Sequence, residues 1–308
     1  LVGRTAEVLK AVEACGQKSL PAGVEIKDAK EVVEIADDPA MAFKQKPDSS
    51  LTVGLNLLKD GAGDAFVSAG STGALLSGAT LVVKRIRGIR RAAMGPQIPT
   101  AGGRAVLCDC GANAECTPEY LLQFAYLGSY YAQRVMGIEK PRVGLLNIGA
   151  EEEKGDTLRH ETYALLEEAG REGRLNFIGN IEANTALLGG ADVIVADGYS
   201  GNILLKTVEG AAKLLLGEMK KAFLSSTKSK LGALLVKDSL GDVKKLLDPS
   251  EIGGTPFLGI SKPVLKAHGS SDAHAICNAV QRAIEYAQSG IIADVEAHID
   301  EMKVEKQA

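Results

Sequence analysis

The chain has 308 residues, 45% of them apolar, enough to bury a large α/β core. A net charge of −4, 4% aromatics and no tryptophan exclude a broad basic face for nucleic acid and a stacking platform for single strands. Five cysteines, an odd number in a long chain, suit a reducing compartment, and no signal peptide or run of about 18 apolar residues predicts a membrane span.

Leu1-Val2-Gly3 reads as the tail of a strand already under way, which places the natural N-terminus upstream. A helix fits Arg4–Cys15, and Val24–Lys27 reads as a short strand. Asp37-Asp38-Pro39 can open a short helix, and Asp48-Ser49-Ser50 can cap another over Leu51–Leu58. Gly63–Leu81 then predicts a strand (Ala65–Ser68), a tight turn (Ala69-Gly70-Ser71-Thr72-Gly73) and an amphipathic helix. Glycine lets the turn tighten and a ligand approach, and Ser71 or Thr72 can cap the helix. Such a turn either binds an anion, above all phosphate, or is an ordinary connection whose cap satisfies itself. It is neither a Walker A loop nor a full G-x-G-x-x-G fingerprint.

Lys84, Arg85, Arg87, Arg90 and Arg91 put five cations into eight positions. They form either a solvated helix end or a dock for an acidic partner. Ala105–Asp109 reads as a buried strand ending in the turn Cys110–Asn113, and Thr117-Pro118 starts a long helix. Cys108, Cys110 and Cys116 lack C-x-x-C spacing and a nearby histidine, so they read as small buried thiols and no metal is expected. Arg142–Ile148, Asn176–Gly179 and Ala191–Ala196 are further strands, with a helix over Thr157–Ala169. The loop Asp197–Asn202 precedes a helix from Ile203 that carries Lys206. Strands alternating with helices imply right-handed βαβ units and a mostly parallel sheet, whose carboxyl edge is where ligands bind.

From Gly210 to Leu247 the pattern is helical, and Leu231, Leu234 and Leu235 lie in a short apolar run framed by lysines. It reads as the tip of a protruding helical pair that dips into a membrane face, or as a packing helix or dimer contact. Gly253-Gly254-Thr255-Pro256 breaks the helices. Pro263–Ala267 is a last strand, closed by His268-Gly269-Ser270-Ser271-Asp272 before a long C-terminal helical region.

Taken in order, Ser-Ala-Gly-Ser-Thr-Gly-Ala, Cys-Gly-Ala-Asn, Gly-Leu-Leu-Asn-Ile-Gly-Ala-Glu-Glu-Glu-Lys-Gly, Asn-Phe-Ile-Gly-Asn-Ile-Glu, Asp-Gly-Tyr-Ser-Gly-Asn-Ile-Leu-Leu-Lys and Lys-Ala-His-Gly-Ser-Ser-Asp resemble the bacterial phosphate acyltransferase family. This is the acyl-carrier-protein:phosphate acyltransferase (PlsX) type, and the resemblance covers nearly the whole chain. The first and last segments are also similar to phosphotransacetylases. The family opens with a strand and an Asp-Ala-Met-Gly-Gly-Asp segment that does not occur here, and its basic cluster is thinned here to Lys44-Gln45-Lys46.

The resemblance implies a three-layer α/β/α fold with a mostly parallel sheet, like the isocitrate and isopropylmalate dehydrogenases. It implies one α/β domain over 1–308 without its first strand, and a protruding helical segment over 210–250. It implies a homodimer that moves a long acyl chain from acyl carrier protein to inorganic phosphate. The acyl phosphate then passes to a membrane acyltransferase that loads glycerol 3-phosphate. The expected place is the cytoplasm, peripherally associated with the inner membrane face, with Leu231, Leu234 and Leu235 as the contact.

Phosphate is already an anion and a thiol leaves readily, so such a reaction needs no base relay and no cofactor. It needs N–H groups, hydroxyls and a cation around a dry cleft. Gly70, Ser71, Thr72, Asn113, Ser270 and Ser271 are the expected phosphate cradle. Lys206 is the expected cation for phosphate or oxyanion, and Asn202 is a further expected catalytic residue. His268 either donates to the oxyanion, protonates the thiolate or is structural. Carrier protein is acidic, which makes Lys84–Arg91 its expected dock. Competing readings are a phosphotransacetylase acting on short acyl-CoA, an isocitrate-type dehydrogenase and a non-catalytic membrane scaffold for lipid enzymes.

Overall fold

The computed structural model describes residues 1–304. Its strands, in chain order, are β1 (Val2–Gly3), β2 (Lys27–Asp28), β3 (Phe66–Ser68), β4 (Ala93–Met94), β5 (Gln97–Thr100), β6 (Gly103–Cys108), β7 (Val143–Leu146), β8 (Phe177–Ile181), β9 (Val193–Val195), β10 (Thr255–Leu258) and β11 (Val264–Lys266). A five-stranded sheet has the order β5-β6-β9-β7-β8, and its β6, β9, β7 and β8 run parallel. A four-stranded sheet has the order β3-β11-β10-β4, with β3 and β11 parallel. β1 and β2 form a separate parallel pair.

The layering follows from strands that are apolar on both faces. In the five-stranded sheet Val106, Cys108, Val143, Leu145, Val193 and Val195 face one cluster, against Phe124, Leu127 and Tyr131 of the helix Pro118–Arg134. Their neighbours Ala105, Leu107 and Ile194 face the other side, against Leu204. Successive strand residues alternate sides, so helices must cover both faces and three layers result. In the four-stranded sheet Phe257 and Val264 meet Leu51, Leu55, Leu58 and Leu75. Leu258 and Leu265 turn the other way into the first cluster, so the two sheets share a core.

Several boundaries move. The helix expected from Ile203 begins at Gly198, capped by Asp197, and runs 27 residues to Leu224, about 40 Å. The segment Asp197–Asn202 is therefore a cap and a first helical turn. Gly253–Pro256 does not simply break helices: Thr255 and Pro256 open β10, which is paired on both sides. Pro256 lacks an N–H, but its carbonyl accepts from Gly95 N (3.1 Å). The strand expected at Val24–Lys27 lies at Lys27–Asp28, and the short helix after Pro39 is Ala42–Gln45. β4 and β5 were not expected, because each is short and bounded by Gly or Pro.

After the long helix, Thr227–Leu235 and Lys237–Leu247 bring the chain back, and neither helix has a buried residue. Among the described residues no helix is long and apolar enough to cross a membrane.

Candidate active site

The expected site residues fall into two groups, one at the carboxyl edge of each main sheet.

At the five-stranded sheet, β6 is followed directly by Asp109, which is fully buried. Its Oδ1 accepts from the N–H of Cys110 (2.6 Å) and Met94 (2.8 Å). Its Oδ2 accepts from Asn113 N (2.7 Å) and Asn113 Nδ2 (3.0 Å). Burial pushes this carboxyl up, against the opposing pull of those donors. Asn113 Nδ2 also donates to Ala92 O (2.8 Å), so its amide holds the loop from inside.

The long helix presses on that loop. A Cβ on Gly201 would lie 2.0 Å from Asp109 O, and one on Gly198 would lie 2.5 Å from Asn113 O. Glycine is required at both places because backbone, which cannot swing aside, fills the space. Gly198 N donates to Asn113 O (2.8 Å), and Asp197 accepts from Ser200 N (2.9 Å). Arg159, on the helix Thr157–Arg171, pairs with the buried Asp197 and donates to Ser200 Oγ (3.0 Å) and Asp156 (3.0 Å). Burial would push Asp197 up, but Ser200 and Arg159 outweigh it and hold the carboxyl below its usual range.

Asn202 lies against Gly111: a Cβ there would be 3.6 Å from Asn202 Oδ1. Lys206, one turn further on, is exposed and paired with Glu209 (2.9 Å). Cys110 lies below; burial pushes its thiol up to about 12, as it does for Cys116, so both are neutral thiols at pH 7.

At the four-stranded sheet, the parallel register sets Ser68 opposite Lys266, and Ala267 N donates to Ser68 O (2.9 Å). The two turns that follow therefore leave the sheet together. In the first, Gly70 N donates to Ser68 Oγ (3.2 Å), and Ser71 caps the helix Thr72–Gly78 through Ala74 N (3.4 Å). The N–H groups of Thr72 and Gly73 have no hydrogen-bond partner among the described residues. In the second, His268 Nδ1 accepts from Ser270 N (3.2 Å) and lies 2.7 Å from Ser270 Oγ. A backbone N–H only donates, so the neutral ring carries its proton on Nε2. Ser271 N donates to His268 O (3.1 Å), and Asp272 caps the helix Ala273–Gln288. A cavity of about 580 Å³ lies beside the first turn, with Ser68, Gly70 and Ser71 on one wall and Val8, Val33 and Leu51 among its apolar lining.

The basic segment begins at a helix end and runs on as a loop. A π-helical turn, Ala79–Val83, ends at Lys84, whose φ is +78°. Ile86 and Ile89 are buried and pin the segment, leaving Lys84, Arg87, Arg90 and Arg91 at the surface. Arg90 pairs with Glu119 (3.0 Å), and the Arg91 guanidinium lies 5.7 Å from the Tyr120 ring centre. On the arm made by the helices Thr227–Leu235 and Lys237–Leu247, Leu231, Leu234 and Leu235 are 61%, 67% and 80% exposed, an apolar group with no cover among the described residues.

Reading the sequence missed three residues. Asp109 looked like the last residue of a strand. Arg159 follows a capping aspartate at the common Asp-x-x-Arg spacing, and only the fold brings Asp197 to it. Lys266 sits inside the last motif, yet nothing in the sequence announces that it faces Ser68.

The family described as "Fatty acid synthesis protein" matches residues 1–294. A protein of Clostridium acetobutylicum named phosphate acyltransferase is 47% identical over 279 residues, 91% of this chain and 83% of its own length. Another of that name, from Clostridioides difficile, is 44% identical over 285 residues, 92% of this chain and 83% of its own. Among solved structures, a phosphotransacetylase from Streptococcus pyogenes superposes with a TM-score of 0.61 at 19% identity, covering 93% of this chain and 84% of that one. The EutD phosphotransacetylase from Staphylococcus aureus superposes with a TM-score of 0.59 at 17% identity, over 93% and 85% of the two chains. At such identities the likeness establishes the fold.

Proposed function

The chain belongs to the phosphate acyltransferase family and is an acyltransferase, and from that premise we propose that it moves a long fatty acyl chain from acyl carrier protein to inorganic phosphate. The observation that carries this reading is the pair of turns at the ends of β3 and β11. Ser71 and Thr72 follow one of these paired strands and Ser270 and Ser271 the other, and the N–H groups of Thr72 and Gly73 have no partner among the described residues.

In this reading phosphate rests on Gly70, Ser71 and Thr72, with Ser270 and Ser271 beside it, and attacks the thioester carbonyl. The thiol leaves as a group of pKa about 8.5, so no strong acid is needed. The work lies in holding two reactants together and in meeting the tetrahedral oxyanion. His268 presents Nε2–H to the oxyanion or to the departing sulfur. In this reading Asn202 and Lys206 stand across from that cradle, where Lys206 adds positive charge near the oxyanion; the Asn113 amide, expected in the cradle, donates instead to Ala92 O and Asp109 and braces the loop.

The exposed cations of Lys84–Arg91 receive the acidic carrier protein, and Arg85 joins them. Leu231, Leu234 and Leu235 rest on the inner membrane face, as part of a homodimer. The product, an acyl phosphate, goes to a glycerol-3-phosphate acyltransferase and so into phospholipid.

The test is phosphate-dependent formation of acyl phosphate, trapped as a hydroxamate, from palmitoyl carrier protein. Turnover of acetyl-CoA instead would make the protein a short-chain phosphotransacetylase. No turnover of either would leave a scaffold. Both results overturn the reading.

A further inference from the structure

Lys266 has a setting that no other lysine near the candidate site shares. It ends β11 and stands opposite Ser68 in the parallel register. Its side chain is half-buried, and its Nζ donates to Ala267 O and lies 3.4 Å from Ala69 O. One carbonyl belongs to each of the two turns, so the ammonium sits at the junction of the segments that carry Ser71 and Ser270.

Among the described residues no carboxylate lies within 4.0 Å of it. The acid nearest in sequence, Asp272, accepts from Ala275 N (2.9 Å) and serves its own helix. Burial alone pushes the Lys266 ammonium below the ordinary lysine range. A half-buried cation without a counter-charge is costly, and an anion arriving beside it relieves that cost. The contrast with Lys206 is direct: Lys206 is exposed and already holds Glu209 at 2.9 Å.

Two carbonyl contacts orient the ammonium, and it has three N–H donors. One donor therefore remains for a ligand between the turns. Of the two groups that react, the thioester is neutral and phosphate is the anion.

We propose that Lys266 is the cation that binds the inorganic phosphate nucleophile, clamped between the two turns by the Ala69 and Ala267 carbonyls. The proposal rests on the reading of the protein as a phosphate acyltransferase acting at these turns. Its chemistry is a charge-assisted hydrogen bond from Nζ to a phosphate oxygen, with no proton transfer required.

The test pairs Lys266→Gln with Lys266→Arg in the protein as it exists. Gln keeps an N–H donor for the carbonyls and removes the charge, whereas Arg keeps the charge. Two measurements are made. The first is the rise in unfolding temperature on adding inorganic phosphate, without acyl donor. The second is the KM for phosphate against the KM for acyl donor. The expected result is a clear phosphate-induced rise in the wild type, lost in Lys266→Gln and partly kept in Lys266→Arg. The phosphate KM of Lys266→Gln should rise about 10- to 100-fold, the scale of one charged hydrogen bond, with the acyl-donor KM unchanged. Equal phosphate stabilisation of wild type and Lys266→Gln would overturn the proposal, as would no phosphate effect in the wild type. Equal losses in both KM values and in phosphate-free stability would also overturn it, by showing that the residue only ties the turns together. Failure of the wild type to make acyl phosphate would strike the functional reading alone, because the phosphate-induced shift is read without acyl donor.

Discussion

At the carboxyl ends of β6 and β9 the two buried carboxylates and the Asn113 amide are all engaged. Asp109 collects donors from Met94, Cys110 and Asn113, while Asp197 is held by Ser200 and Arg159. At the carboxyl ends of β3 and β11 the N–H groups of Thr72 and Gly73 have no partner, and Lys266 carries a charge without a counter-ion among the described residues. Both edges are built from Gly, Ser, Asn and Asp after a short apolar strand. The lesson is that composition marks a sheet edge as suitable for a ligand, whereas the hydrogen bonds decide whether its groups are still available. The closed edge is braced by its own contacts. The open edge holds the groups that a phosphate would use.

The comparison breaks most visibly where a closed contact is cut. Arg159→Met leaves Asp197 buried without its cation and should cost about 3–5 kcal/mol, read as a lower urea midpoint. The sign with pH follows from the lowered Asp197 pKa. A carboxyl held low contributes stability above its unfolded pKa of about 3.9 and loses it as the pH falls through the folded value. The gap between wild type and variant should therefore be full at neutral pH and narrow in acid below that value. A constant gap would show that the pair contributes packing alone.

Next in size is Gly201→Ala. Its Cβ would sit 2.0 Å from Asp109 O, so helix and loop must part, at about 1–3 kcal/mol. Thermal unfolding checks it; an unchanged midpoint would mean that the loop yields freely and the closed edge is not rigid.

On the open edge the balance should reverse. Ser71→Ala removes a long cap contact (3.4 Å) and should cost about 1 kcal/mol or less of stability, while raising the phosphate KM several-fold. A fall in stability with an unchanged phosphate KM would make Ser71 a cap and nothing more.

The smallest effect on folding belongs to the arm. Leu234→Glu with Leu235→Glu changes side chains that are 67% and 80% exposed, so stability should move by no more than about 0.5 kcal/mol. Flotation with anionic liposomes should nevertheless fall sharply. Undiminished flotation would remove the arm tip from the membrane contact.

The amino-acid order alone determined the alternation of strands and helices, because apolar runs with polar ends and Gly-rich turns leave few other foldings. It also marked the turn at Gly70–Gly73 and offered Ser71 or Thr72 as the helix cap, of which the fold uses Ser71. The resemblance between ordered motifs carried the family, which the relatives then established.

Tertiary structure decided the rest. Thr255-Pro256 looked like a breaker and became a paired strand, because pairing with β4 and β11 outweighs local propensity. Asp197–Asn202 looked like a loop and became a helix start, because Asn113 O and Asp109 O receive Gly198 and Gly201 so closely. In sequence Lys206 stands out as the cation, although Glu209, three residues on in the same helix, already marks its partner. Only the fold sets Lys266, half-buried, between two turns, because proximity between residues far apart in the chain is a property of packing.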